Sequence, residues 1–282
     1  MKKLRTALPL LLLSLNATAS LEARELTRAW ECDTFMDKPE SALYAESTGL
    51  IYVSNISGEY FALDGGGFIS TLNLDGTVQE AKWFCGGLNN PQGLALSGEK
   101  LFVADLTRIA RIDLKSGELD KFIPIEDSKF INDLSADENG DIYATDCSLN
   151  RIYRIRGDAV ETWLESPELN SPNGILCLKD TLLVINFLDG KLYSVNKADK
   201  SFTLVCDGIA NGDGICSDGE GGFFVSGAWQ GEVFHIDAQG TKTLVLNLGP
   251  EEKIAADISY IPSKKLLLIP TLYKTVLGYR WE

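Results

Sequence analysis

Pro172-Asn173-Gly174-Ile175-Leu176, followed closely by Leu182-Leu183-Val184-Ile185-Asn186, is a pair of short segments that the chain repeats with small changes. The second segment is apolar for four residues and ends on a turn former, which is the chemistry of a buried strand. Its counterparts are residues 51–55, 101–105, 142–146, 223–227 and 266–270. The first segment has counterparts at 39–43, 91–95, 131–135, 212–216 and 256–260. Taking the second residue of each first segment gives Glu40, Gln92, Asn132, Asn173, Asp213 and Asp257, at intervals of 52, 40, 41, 40 and 44 residues. The long first interval holds a Gly-rich insertion, residues 59–67.

Periods of 40–50 residues are the mark of propellers. Each pair of segments leads into a third strand, as at 108–113, 151–155 and 232–237, and a fourth, as at 79–84, 159–164 and 241–246. No stretch of ten or more residues after the leader carries a 3.6-residue apolar period, so no long helix is expected. The sequence therefore predicts an all-β, six-bladed β-propeller with four-stranded blades, the first strand of each blade lining the central channel. The last repeat runs out after its third strand, near Trp281. The leftover N-terminal strand, residues 26–32, can supply the missing outer strand, closing the last blade and covering its edge.

At the mouth of each innermost strand the repeat carries a polar side chain, never Lys or Arg. Glu40, Asn132, Asn173, Asp213 and Asp257 offer the oxygens that a hard cation takes, with Gln92 a further donor. Three carboxylates converging on one axis repel each other unless protons or a cation intervene. Oxygen donors suit Ca²⁺ first, then Mg²⁺ or Mn²⁺; the lone histidine, His235, belongs to a third strand away from the axis. The other reading of the ring is the solvated wall of a channel. Gly93, Gly174 and Gly214 follow the ring residue and point to close backbone packing. Asn55, Asp105, Asp146 and Asn186 end second strands and read as turn formers that bond their own backbone. Trp83 and Trp163 fall in outer strands as packing between blades, while Trp229 can reach a channel mouth.

Lys2, Lys3 and Arg5, an apolar run over residues 7–15 and Ala17-Thr18-Ala19 form a cleavable signal peptide, assigned to residues 1–19, with one propeller domain over 20–282. The run is too short to span a bilayer, so a periplasmic or secreted monomer is expected, with no membrane span in the mature chain. A net charge of −14 argues against nucleic acid as partner and leaves a small-molecule substrate. Six cysteines, none in a C-x-x-C pair, permit disulfides in that compartment or serve as small buried residues.

Pro39-Glu40-Ser41, Ile131-Asn132-Asp133, Pro172-Asn173-Gly174-Ile175 and Asp213-Gly214-Ile215, in that order and spacing, resemble the senescence-marker-protein/gluconolactonase/luciferin-regenerating family. The likeness runs over nearly all of the mature chain and extends to diisopropyl-fluorophosphatase and paraoxonase. The resemblance implies Glu40, Asn173 and Asp213 as metal ligands and Asn132 as a metal or substrate contact. It implies Asp213 as the catalytic base or nucleophile while a divalent metal, Ca²⁺ or alternatively Mg²⁺, Mn²⁺ or Zn²⁺, polarises a lactone or ester carbonyl. Gln92 and Asp257 complete the expected substrate contacts. Three departures stand out. Phe130 occupies the position where sugar lactonases of the family carry an Arg for substrate hydroxyls. Asp257-Ile258-Ser259 stands where diisopropyl-fluorophosphatase has a His. Gln92 matches no assigned role. Two functions follow: a metal-dependent lactone or ester hydrolase, or a non-catalytic binding propeller with Ca²⁺ as a structural plug.

Overall fold

Strands of five to seven residues that are apolar on both faces must be covered on both sides, and stacking blades around an axis does this for every sheet at once. The computed structural model describes residues 24–282; the expected leader, residues 1–19, lies outside the described residues. After β1 (Leu26–Cys32), the first blade is β2 (Pro39–Ala45), β3 (Leu50–Asn55), β4 (Gly67–Leu72) and β5 (Val78–Leu88). The second is β6 (Pro91–Ser97), β7 (Lys100–Asp105), β8 (Arg108–Asp113) and β9 (Leu119–Pro124). The third is β10 (Ile131–Ala136), β11 (Ile142–Asp146), β12 (Arg151–Arg156) and β13 (Ala159–Glu165). The fourth is β14 (Pro172–Cys177), β15 (Thr181–Asn186), β16 (Leu192–Asn196) and β17 (Phe202–Cys206). The fifth is β18 (Gly212–Ser217), β19 (Phe223–Gly227), β20 (Glu232–Ile236) and β21 (Lys242–Asn247). The sixth is β22 (Ser259–Ile261), β23 (Leu266–Pro270) and β24 (Val276–Trp281), completed by β1.

Each blade is a four-stranded antiparallel sheet in sequence order, and β1 pairs antiparallel with β24 from Leu26 opposite Trp281 to Cys32 opposite Val276. This is the closure expected of the leftover strand. The core is six apolar layers, one between each pair of neighbouring blades. Alternation decides which layer a side chain joins: on β11, Ile142 and Ala144 face the second blade while Tyr143 faces the fourth. Trp83 joins the layer between the first and second blades and Trp163 the layer between the third and fourth, each edge-on to a tyrosine of its own blade, Tyr52 at 4.8 Å and Tyr143 at 5.4 Å.

Trp30 locks the closure. Its Nε1 donates to the Leu74 carbonyl at 2.9 Å, bridging the last blade to the first. A Cβ on Gly278 would come within 2.2 Å of its ring, so only glycine fits beneath it. Arg28 adds bonds to Glu251 and to the Tyr279 hydroxyl. All six cysteines are free thiols, with Cys32 and Cys216 buried in the apolar layers. Among the described residues no helix is long and apolar enough to cross a membrane.

Candidate active site in the central channel

The first strand of five blades breaks register with the second at the ring residue. The shifts fall between Pro39 and Ala42, Pro91 and Leu94, Ile131 and Leu134, Pro172 and Ile175, and Gly212 and Ile215. Such a bulge re-aims a side chain and leaves a backbone amide without its ladder partner. Hydroxyls on the second strand take over: Ser54 accepts from Ser41 N, Thr145 from Asp133 N and Ser226 from Gly214 N, at 2.8–3.1 Å. The tight backbone also explains the glycines. A Cβ on Gly174 would lie 2.0 Å from the Asp213 carbonyl oxygen, and one on Gly214 2.3 Å from Ile258 N.

The polar residues that end second strands hold the ring from behind. Asn55 Oδ1 accepts from Asp37 N, Asp105 Oδ1 from Asn89 N and Asn90 N, and Asp146 Oδ2 from Lys129 N. Asn186 Nδ2 donates to the Glu168 carbonyl. Each reaches the loop that leads into its own blade's first strand. Of the four, Asp146 alone also accepts from backbone amides of its own turn, Ser148 N and Leu149 N, while Asp105 takes the Arg108 side chain across its turn. The expected turn formers are thus latches on the entry loops, because the bulged first strand leaves those amides facing the end of the second.

The result is a cavity of about 440 Å³ at one mouth of the channel. Glu40, Gln92, Asn132, Asn173 and Asp213 come together in it, each only 3–6% exposed. Glu40 Oε2, Asn132 Oδ1, Asn173 Oδ1 and Asp213 Oδ1 are buried with no hydrogen-bond partner. Gln92 is tied instead by its Nε2 to the Asn90 carbonyl. Burial raises the Glu40 carboxyl well above its ordinary range, and Asp213, Asp257 and Asp133 push it further. Burial and Asp257 raise Asp213 likewise. Four acceptors pooled without donors, two of them carboxylates, form a donor set suited to a hard cation. Among the described residues no three His, Cys, Asp or Glu side chains are grouped to hold a metal, since half of this set is amide.

Asp257 does not join that cavity. The first strand of the last blade is cut to three residues, Asp257 N bonds the Glu40 carbonyl, and its carboxylate accepts from the Ser41 hydroxyl. It faces a second cavity of about 350 Å³ at the other end of the channel, alongside Asp133. Burial moves Asp257 up to about 7, with the Ser41 bond opposing. Asp133 is the carboxylate that the ring pattern passed over; it occupies the next position, where three other blades have glycine. Its oxygens accept from Leu134 N at 2.6 Å and Ile175 N at 2.8 Å, tying two blades together.

Above the polar floor the wall is mainly apolar, with Tyr60, Phe61, Phe130, Phe187, Trp229 and Leu272, interrupted by Ser148 and Ser171. Trp229 therefore does reach the mouth. Cys147 lines the cavity too, donating from Sγ to the Pro172 carbonyl at 2.9 Å. Burial first, then Asp213, Asp146 and Glu40, push its thiol well up, which unfits it as a nucleophile. His235 lies outside, paired with Asp218 at 2.9 Å and stacked near Phe224 and Trp281.

Residues 39–258 match the sequence family described as the SMP-30/Gluconolactonase/LRE-like region. The chain belongs to this family. The matched span begins at β2 and takes in Glu40, Gln92, Asn132, Asn173, Asp213 and Asp257. No curated protein matches the chain. Among solved structures, a catalytically inactive virginiamycin B lyase from Staphylococcus aureus with quinupristin is 12% identical, TM-score 0.64, over 92% of this chain and 99% of that one. A streptogramin B lyase is 12% identical, TM-score 0.66, over 92% and 98%. A chain of a nidogen/laminin complex is 17% identical, TM-score 0.62, over 74% and 82%. Likeness at this identity is of fold, and the fold serves both lyases and a chain of a protein complex.

Proposed function

We propose that this SMP-30/gluconolactonase-like propeller is a metal-dependent hydrolase of a lactone or related ester, exported across the inner membrane. The observation that carries the reading is the floor of four orphaned, buried oxygens on Glu40, Asn132, Asn173 and Asp213. These four would hold a divalent cation, Ca²⁺ by donor type. When bound, the cation would offset the two carboxylates and polarise the scissile carbonyl. Asp213, whose carboxyl is raised by burial and then by Asp257, is the candidate base that takes the proton from an attacking water. Glu40 would share the cation with Asp213, while Asn132, through its amide, and Gln92 would orient the substrate. The aromatic rim would exclude bulk water. Asp257, facing the opposite cavity, has no substrate contact in this scheme.

The test is hydrolysis of a panel of lactones and aryl esters by metal-stripped protein with Ca²⁺, Mg²⁺, Mn²⁺ or Zn²⁺ restored. Cation-dependent turnover that disappears in Glu40→Gln and Asp213→Asn is the expected result. No turnover with any pair, alongside cation-dependent stabilisation, would move the chain to the binding propeller with a structural ion.

A further inference from the structure

The aromatic and aliphatic side chains of the wall above the cation floor come from five separate loops, and they outnumber its polar ones, Ser148 and Ser171. Phe61 stands edge-on to Phe130 with ring centroids 5.0 Å apart, and Phe187 edge-on to Trp229 at 6.4 Å. Tyr60, Leu272, Ser148 and Ser171 fill in the rest, and among the described residues no Lys or Arg side chain lines the cavity. Edge-to-face pairs leave open ring faces, which are seats for a further ring.

The wall is also built rigidly. Phe61 and Leu272 have φ of 65° and 56°, left-handed conformations that bulky residues adopt only under constraint. The constraint on Phe61 is visible. Asn90, fully buried, accepts from Phe61 N at 2.9 Å and donates to the Glu59 and Ala62 carbonyls at 3.3 Å. Asn89 Oδ1 accepts from Gly65 N at 3.2 Å. The Gly-rich insertion in the first blade is therefore not slack. Two asparagines from the entry loop of the second blade, themselves latched by Asp105, hold it so that Tyr60 and Phe61 face the cavity.

We infer that this cavity takes a neutral ester or lactone bearing an aromatic or bulky apolar group, in preference to a polyhydroxylated sugar lactone. The reacting bond in this inference rests on the hydrolase reading; the apolar seat does not. A cavity of about 440 Å³ has room for both parts, since an apolar hole of about 150 Å³ already takes up benzene. Charge agrees: a divalent cation on two carboxylates leaves a floor near neutrality, with no fixed cation in the wall to draw an anionic substrate. A sugar lactone would lay most of its hydroxyls against Phe61, Phe130, Phe187 and Trp229, where only the indole N–H can donate, and the Tyr60, Ser148 and Ser171 hydroxyls could partner a few of them. Buried hydroxyls without partners are what such a site rejects.

Two measurements test this separately. In the first, kcat/KM is compared for a phenyl-substituted γ-lactone and D-gluconolactone with the activating cation. The expected preference is roughly 100-fold for the phenyl lactone, as for sites that discriminate by unmatched polar groups. In the second, binding of 2-phenylcyclohexanone, which has no bond to hydrolyse, is followed by calorimetry and Trp229 fluorescence with and without cation. Phe61→Ala and Phe130→Ser should each weaken it by about tenfold. Phe61 is 60% exposed, so its truncation leaves the fold intact, and thermal melts verify this. Ketone binding that is lost in the variants supports the seat even if no ester is ever turned over, in which case the hydrolase reading alone falls. Equal or better turnover of gluconolactone, or ketone binding indifferent to both variants, overturns the inference.

Discussion

Replacing Asp213 by Asn is expected to move stability in opposite directions with and without a bound cation. In the cation-free protein Asp213 and Glu40 are buried carboxylates facing each other and two amide oxygens, and four of these atoms have no donor. The substitution keeps the shape, removes one charge and introduces an N–H among acceptors. Relieving one unpartnered buried acceptor is worth about 1–3 kcal/mol. For a chain of this size each kcal/mol moves Tm by about 2–4 °C, so the variant should melt roughly 3–10 °C above the parent in chelator. At a cation concentration of about 100 Kd the parent gains about 2.7 kcal/mol, and the variant, short of a ligand, gains little. The order of the two melting temperatures should then reverse or close. Circular-dichroism melts at a fixed, mildly alkaline pH read both conditions. A variant equally destabilised in chelator and in Ca²⁺ would refute the crowding argument, because the parent carboxylate would then be doing structural work independent of any ion.

The opposite cavity yields a pH prediction. Asp257 titrates near 7 in the folded chain and in the ordinary carboxylate range when unfolded, so the native state holds the extra proton between them. Stability of the stripped protein is complete below that ordinary range and is lost as pH rises through about 7. Asp257→Asn should flatten that decline in a Tm–pH series; an unchanged slope would show that other groups govern it. Gly174→Ala puts a methyl 2.0 Å from the Asp213 carbonyl oxygen, which must move. It should cost about 1–3 kcal/mol and weaken Ca²⁺ binding by calorimetry, whereas a loss of stability with unchanged affinity would uncouple Gly174 from the floor.

The blades were legible because a five-residue apolar strand has few alternative uses when it recurs every 40 residues or so. The ring was legible for a related reason: polar residues at one repeat position converge on the axis whatever surrounds them. What repeat alignment could not convey is the bulge. It puts consecutive residues of the first strand toward opposite ends of the channel, so Asp133, adjacent to Asn132, entered the channel unannounced. Repeat alignment put Asp257 beside Asp213, but the Ser226 hydroxyl donates to the Ala256 carbonyl as Thr145 does to Asn173, so Ala256 holds the ring position and Asp257, one further on, joins Ser41 and Asp133 at the far cavity. The aromatic wall was mostly hidden, since Tyr60, Phe61, Phe187 and Leu272 sit in loops with no common spacing. Phe130 stood out only as an absent Arg, and Trp229 only as a tryptophan beyond a strand end. Asn55, Asp105, Asp146 and Asn186 were recognised as strand-end polar residues, but which loop each one holds depends on backbone amides that the bulge exposes.

The pairing of β1 with β24 sets an order of assembly. Leu26 meets Trp281, so the first strand of the described chain finds its partner only when the last has been made. Contacts this distant in sequence form late and slowly. Until then β1 is an open template, and so is the far side of β24. Arg28 and Glu31 lie on β1, and charge on a waiting edge discourages the wrong neighbour. The same two residues later bond Glu251 and Lys253 when the ring shuts. Loss of only the final strand would thus leave five finished blades and no ring, with the channel and its ligands unassembled. The chain's last six strand residues act as a checkpoint on everything made before them.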